Sequence, residues 1–234
     1  MSIFALSDLH LSFGTNKPMD IFGDNWAAYE DKIKNNWNAI VGDDDYVLIC
    51  GDISWATYLK DAKADFKFID ELKGKKLISK GNHDYWWCGI KKQNEFLAEN
   101  QFNSIKFVHN NSYVIDDVDT NGNAIKIAIC GSRGWLGEVA CKSNDDKTIY
   151  ERELIRLGLS ASSIKGEGYA AKIAMLHYPP DEKFMSIMQQ HNINVCVYGH
   201  IHLNFNAKVE GNVNGINYFL TSADYLHFKP LQIY

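Results

Sequence analysis

Aspartate, histidine and asparagine recur in five short stretches of this 234-residue chain: Asp8-Leu9-His10, Gly51-Asp52, Gly81-Asn82-His83-Asp84, His177, and Gly199-His200-Ile201-His202. Five of the eight histidines fall in them, and every stretch follows an apolar run with strand character. In an α/β fold the loops beyond the strand ends are where catalytic side chains gather. Carboxylate, amide and imidazole groups supply oxygen and nitrogen donors suited to two divalent metals side by side. A shared carboxylate can hold such a pair about 3.5–4 Å apart. If the chain is extended there, Asp8 and His10 flank Leu9 and project to one side, as do His200 and His202 about Ile201. Gly51 and Gly199 permit sharp turns before their ligands. Gly-Asp alone is most often a turn, and Asp-x-His alone is commonplace; the weight lies in all five occurring in series.

The elements that must position these residues alternate. Strands are expected at Ile3–Ser7, Asp45–Cys50 and Lys76–Ser79, each ending at one of the stretches. Helices are expected at Asn25–Val41, Lys60–Leu72 and Gly89–Glu99, where apolar residues recur at three-to-four spacing. The middle turns to strands (Ile105–His109, Ser112–Ile115, Ala124–Cys130) with Asn- and Asp-rich turns between them. A helix follows at Asp145–Leu157, then strand Lys172–Leu176, a helix from about Asp181 to Gln190, strand Val195–Tyr198, and antiparallel strands around Gly211 and Gly215. There is no internal repeat or flexible linker. Motifs near both ends must converge on one site, so residues 1–234 read as a single domain.

An apolar content of 46% is ample for a sizeable core. The net charge of −5 and the lack of a long Lys/Arg block argue against an extended nucleic-acid surface or an anionic membrane as partner. No apolar run approaches the roughly 18 residues a membrane span needs, and Ile3–Leu6 is too short for a signal core. The five cysteines include no Cys-x-x-Cys, and Cys50, Cys130 and Cys196 lie in apolar runs. A reduced, cytoplasmic setting is therefore expected.

The ordered set Asp-x-His, Gly-Asp, Gly-Asn-His-Asp, His, Gly-His-x-His resembles the calcineurin-like metallophosphoesterase superfamily over Asp8 to His202. The resemblance implies an α/β fold of two packed mixed β-sheets flanked by helices, a four-layer α/β/β/α sandwich. It implies that Asp8, His10 and His202 bind one metal and Asn82, His177 and His200 a second, with Asp52 shared. His83 is then the general acid, and Asp84 holds and orients it. The implied activity is hydrolysis of a phosphomonoester or phosphodiester by in-line attack of a hydroxide bridging two divalent ions, whether Mn, Fe or Zn. The expected partner is a small phosphorylated substrate, with nucleotides among the candidates. Protein phosphatases of the superfamily carry Gly-Asp-x-x-Asp-Arg-Gly where this chain has Gly51-Asp52-Ile53-Ser54-Trp55. The lipid A pathway pyrophosphohydrolases share the Ser7-to-Leu11 pattern but replace the His83 equivalent with arginine. The nearest likeness is to small, stand-alone bacterial phosphoesterases. The competing reading is a non-catalytic scaffold or protein-binding module on the same fold, which the intact His83 and ligand set oppose.

Four further features stand near the motifs. Arg133, in Gly131-Ser132-Arg133-Gly134-Trp135, is a candidate to grip a phosphate oxygen bidentately; the alternative is a structural salt bridge. Trp55, Trp86, Trp87 and Trp135 could wall a flat substrate group, though packing beneath the loops is favoured. Asp224 could back a ligand, but an ordinary surface aspartate is preferred. His109, His191 and His227 have no companions at ligand spacing.

Overall fold

Strands that are apolar on both faces must lie between two covering layers, and most strands here are of that kind. The computed structural model describes residues 1–202 and 205–234. In chain order the strands are β1 (Ile3–Ala5), β2 (Tyr46–Cys50), β3 (Lys75–Ser79), β4 (Ile105–Phe107), β5 (Tyr113–Val118), β6 (Ala124–Gly131), β7 (Ala171–Leu176), β8 (Val195–Tyr198), β9 (Gly211–Val213), β10 (Ile216–Leu220) and β11 (Leu231–Gln232). The α-helices are α1 (Tyr29–Ile40), α2 (Lys63–Glu71), α3 (Ile90–Glu99), α4 (Asn144–Ser162) and α5 (Glu182–Gln190).

One sheet has the order β11-β1-β2-β3-β4 and the other β5-β6-β7-β8-β10-β9. Within each, the central strands run parallel; β11, β5 and β9 run antiparallel at or next to the edges. Both sheets are therefore mixed. Side-chain alternation divides the core. Ile3, Ala5, Leu48, Cys50 and Leu77 of the first sheet meet Ile127, Ile129, Ile173, Met175 and Val197 of the second. The opposite face of the first sheet, through Phe4, Val47, Ile49 and Ile78, packs on Ile33, Trp37, Phe66, Ile69 and Phe96 of α1 to α3. The opposite face of the second, through Cys130, Ala174, Leu176, Cys196 and Tyr198, packs on Tyr150, Leu157, Phe184 and Met188 of α4 and α5. The layers are thus α/β/β/α. All five cysteines are unpaired and four are buried, as small hydrophobes. Among the described residues no helix is long and apolar enough to cross a membrane.

Three elements differ from expectation for local reasons. The helix expected from Asn25 starts at Tyr29, because a short 3-10 turn at Asp24–Trp26 precedes it and Ala28 is left-handed at φ 49°. The helix expected over Asp145–Leu157 runs on to Ser162, begun by a capping box between Ser143 and Asp146. Its polar last turn is retained because the Ser160 hydroxyl, fully buried, accepts the Gly131 N–H and donates to the Asn111 carbonyl. The two-residue β11 has too little sequence to carry a period of two. The extended conformation expected for Asp8-Leu9-His10 is also absent: β1 stops at Ala5, and Asp8 and His10 are left-handed.

The strand ends of the two sheets are tied together by Ser7. Its N–H donates to Thr221 O (2.7 Å), its carbonyl accepts from Ala223 N (2.9 Å), and its hydroxyl pairs with Thr221 Oγ1 (2.8 Å) while accepting from Cys50 N (2.9 Å). The loops after β2 and β3 touch through glycine. A Cβ on Gly81 would fall on the backbone N and side-chain Oδ1 of Asp52, and one on Gly51 would fall on Gly81. Gly81→Ala should therefore force these loops apart at a cost of about 1–3 kcal/mol. The expected result is a cooperative melt at lower temperature and, by elemental analysis, less bound metal than the wild-type chain retains.

Candidate metal centre

Each expected ligand sits just past the C-terminal end of a strand: Asp8 and His10 after β1, Asp52 after β2, Asn82 after β3, His177 after β7, and His200 and His202 after β8. Four of the seven have left-handed backbones: Asp8 (φ 58°), His10 (φ 46°), Asp52 (φ 52°) and His200 (φ 70°). For residues with a Cβ that conformation costs about 1–2 kcal/mol each. It persists because the surroundings fix it. Asp8 N donates to Gly51 O (3.0 Å) and His10 N to Asp52 O (2.9 Å), so the first two loops run side by side. The Asp8 carboxylate accepts His200 N (3.0 Å), and Asp52 Oδ1 accepts His83 N (2.8 Å). Alternation along an extended chain does not aim these ligands; curled loops held by one another do.

The donor atoms converge in two groups. Ligand atoms of Asp8, His10 and His202 lie within 4.8 Å of one another, with His10 Nε2 and His202 Nε2 3.5 Å apart. Asn82 Oδ1 lies 2.6 Å from His177 Nε2 and 2.9 Å from His200 Nδ1. Asp52 Oδ2 stands between the groups, 3.8 Å from His10 Nε2 and 3.5 Å from His177 Nε2. Ligand atoms of Asp8, Asp52 and His177 also lie within 4.8 Å of one another. The approach of Asp8 to His177, however, is to Nδ1 (3.7 Å), and Nδ1 is already committed: the Cys50 carbonyl, 2.8 Å away, can only accept. That bond leaves Nε2 as the free donor atom of His177, facing Asn82 and Asp52. By the same logic Asp224, at 2.9 Å, takes the Nδ1 proton of His202 and turns its Nε2 toward His10 and Asp8.

The electrostatics suit cations. Asp8 is fully buried, and burial pushes its carboxyl up to about 6. Burial also lowers His10 and His200 to about 3, so both are neutral at physiological pH and keep their lone pairs. His202 is the exception. Burial pulls it down, but the hydrogen bond it donates to Asp224 and the charge of Asp8 outweigh this and raise it to about 9. With Nδ1 given to Cys50, His177 turns Nε2 toward the Asn82 amide oxygen 2.6 Å away, close enough for the two to share a cation. Oxygen and imidazole donors without thiolate fit a divalent ion of the Mn, Fe or Zn type.

The remaining expected residues divide. The His83 ring is half-buried beside Trp55 (centroids 4.6 Å) and His10 (5.8 Å), at the edge of the centre. Asp84 does not reach it. The Asp84 carboxylate accepts backbone N–H groups of Asp52 (3.0 Å), Ile53 (2.8 Å) and Gly81 (2.7 Å) and the Trp86 indole (3.1 Å), so it organises the loops rather than orienting the His83 ring. The carboxylate that favours the charged form of His83 is Asp52, and burial outweighs it, holding the ring below the ordinary range. Arg133 points toward Glu153 (3.6 Å), beneath Trp135. Its backbone carbonyl accepts His177 N (2.9 Å) and Tyr178 N (3.1 Å).

Of the tryptophans, Trp86 is core, whereas Trp55 stacks on His10 (5.0 Å, 22°) and faces a pocket. That pocket, of about 150 Å³, lies between Met19, Phe22, Trp26 and Trp55 on one side and His10, His83 and His202 on the other. Sequence reading assigned Trp26 to the packing face of a helix and preferred a surface role for Asp224. The first stands in the 3-10 turn instead, still buried against Tyr29 and Phe228, and lines the pocket. The second carried the same signal as the ligands, a polar residue just past a strand, here β10.

Two sheets face to face, with their clustered donors at a shared edge, make the plan of a metallohydrolase. The chain belongs to the calcineurin-like phosphoesterase family, whose sequence profile matches residues 1–204. Its fold is similar to that of a phosphopantetheinyl hydrolase from Mycobacterium tuberculosis (TM-score 0.60, 12% identity, 99% of this chain and 95% of that one). A protein of unknown function from Aquifex aeolicus is also similar (TM-score 0.52, 15% identity, 99% and 95%). So is a sulfate thiohydrolase from Thermus thermophilus (TM-score 0.51, 14% identity, 95% of this chain and 52% of that longer one). Comparison with curated protein sequences gives no significant match.

The raised pKa of His202 has a measurable consequence. Its folded value of about 9 exceeds the ordinary 6.5, so its proton stabilises the metal-free fold fully below about pH 6.5 and ceases to as pH rises through about 9. A metal ion must displace that proton. Calorimetric metal titrations near neutral pH, in buffers of differing ionisation enthalpy, should report about one proton released per chain. Asp224→Asn should reduce that number and weaken binding about 10–100-fold.

Proposed function

We propose that this phosphoesterase works through two divalent ions, one held by Asp8, His10 and His202, the other by Asn82, His177 and His200, with Asp52 shared. The observation that carries the reading is the position of Asp52 Oδ2, within 4 Å of donor atoms from both groups. When bound, such a pair supplies Lewis acidity that neutralises phosphoryl charge and makes a strong nucleophile from water near neutral pH.

The chain's own residues do the rest. Asp8 and Asp52, anchored by His200 N and His83 N, keep the donor set in place without induced movement. His83 stands on the pocket wall with its backbone fixed by Asp52, while its buried Nδ1 has no hydrogen-bond partner. An imidazole so placed can donate a proton to a leaving oxygen. Burial keeps it neutral in the free protein, and an incoming phosphate anion favours its charged form. The pocket it faces is walled by Met19, Phe22, Trp26 and Trp55, so the group that leaves is flat or apolar in part, as a nucleoside is. A small phosphorylated molecule is the substrate class this favours, and the full chain, residues 1–234, is read as one catalytic domain.

His83→Ala should lower kcat about 10²–10⁴-fold on an alkyl phosphate, whose poor leaving group needs the proton. The same variant should be much less impaired on 4-nitrophenyl phosphate, which leaves unaided, and should keep its metal content. Equal losses on both esters, or an emptied metal site, would contradict the role. Chelation should abolish turnover of both, and restored Mn²⁺ should recover it.

A further inference from the structure

Beside the metal loops lies a second, smaller cavity, open to solvent, with Lys80, His109, Arg133, Glu153 and Arg156 on its walls. Its charge is out of balance. The three arginines of the chain all converge on the one buried carboxylate of Glu153, with Arg156 at 2.8 Å, Arg133 at 3.6 Å and Arg152 at 3.7 Å. Only Arg156 makes a true hydrogen bond to it, and Oε2 is occupied by the Arg133 backbone N–H. The Arg133 side chain is 10% exposed, yet its guanidinium donates no hydrogen bond, and Nε is fully buried without a partner. Lys80, half-buried on the same wall, makes no hydrogen bond or ion pair with any described residue. A guanidinium with a buried, unpaired Nε, next to an ammonium without a partner among the described residues, forgoes charge-assisted bonds. A tetrahedral oxyanion supplies the missing acceptors and the missing charge at once.

We propose that Lys80 and Arg133, with Arg156 behind them, form a second anion site that takes a phosphate-sized oxyanion. The site is continuous with the metal centre through the chain itself. Lys80 directly precedes Gly81-Asn82-His83-Asp84, and the Arg133 carbonyl holds the His177 backbone N–H. An occupant there is therefore a second phosphate group on the substrate, or a free inorganic phosphate or sulfate. The first source rests on the phosphoesterase reading; the anion site itself does not.

Inorganic sulfate is the probe, titrated calorimetrically into the full chain kept metal-free with chelator, so that ions offer it no other seat. The wild-type chain should bind sulfate, Lys80→Met should bind it about tenfold more weakly, and Lys80→Arg should restore binding. No binding by the wild type, or unchanged affinity in Lys80→Met with a normal melt, would overturn the site. The metal-loaded enzyme then separates the sources. If KM for a nucleoside 3′,5′-bisphosphate rises about tenfold in Lys80→Met while KM for 4-nitrophenyl phosphate holds, the occupant is a second substrate phosphate. If both hold while sulfate affinity falls, it is a free oxyanion. If no ester is cleaved but sulfate binding still depends on Lys80, the phosphoesterase reading fails and the anion site stands.

Discussion

Three buried carboxylates at one seam hold this structure's chemistry together. Asp8, Asp52 and Asp84 each accept a backbone N–H from a loop other than their own: Asp8 from His200, Asp52 from His83, and Asp84 from Asp52 and Ile53. Ionised groups without water are costly, and each such bond returns only about 1.5–3 kcal/mol. The arrangement nonetheless has two products. It fixes loops whose left-handed residues would otherwise relax, and it leaves the remaining oxygens of Asp8 and Asp52 directed at imidazole nitrogens. Backbone donors complete one side of these two carboxylates; cations would complete the other.

The division of labour between the sheets follows. The first sheet, through the loops after β1, β2 and β3, contributes the oxygen donors Asp8, Asp52 and Asn82, together with His10. The second, through β7 and β8, contributes only imidazoles: His177, His200 and His202. Neither sheet alone holds a complete ligand set, so the centre exists only once the sheets are packed. Ser7 is bonded to both Cys50 and Thr221 and sets their registration at the ligand end. Metal binding and sheet packing are thereby thermodynamically linked, and ions should stabilise the association of the two halves and not merely occupy it.

Much of this was legible in the sequence, for a physical reason. A ligand motif after an apolar run encodes both the donor and the strand that carries it, so β1, β2, β3, β7 and β8 and their seven donors could be read together. What escaped was set by tertiary contact. The 3-10 turn that carries Trp26 is set off from α1 by a left-handed Ala28, which no propensity anticipates. Asp84 looked like a partner for its neighbour His83 because adjacency in sequence was the only distance available; in space its donors are Gly81 N of its own loop and Asp52 N and Ile53 N of the preceding one. Asp224 obeyed the strand-end rule but lacked a histidine beside it. Arg133 illustrates the converse: it approaches the Glu153 carboxylate, as the salt-bridge alternative expects, yet the contact leaves its Nε unpaired.

The donor set is common property of the family, so selectivity must come from residues outside the motifs. Two such neighbourhoods differ sharply in character. The pocket shared by His10, His83 and His202 is closed by Met19, Phe22, Trp26 and Trp55 and attracts apolar or aromatic surface. The cavity at Lys80 and Arg133 brings Lys80, Arg133 and Arg156 together around the single carboxylate of Glu153. A substrate that satisfied both would carry an apolar body and an anionic group apart from the scissile phosphate. A simple phosphomonoester satisfies at most one. Discrimination of this kind needs no new catalytic group: it arises because leaving a buried cation unpaired, or a polar group against tryptophan, costs binding free energy for every molecule that lacks the matching part.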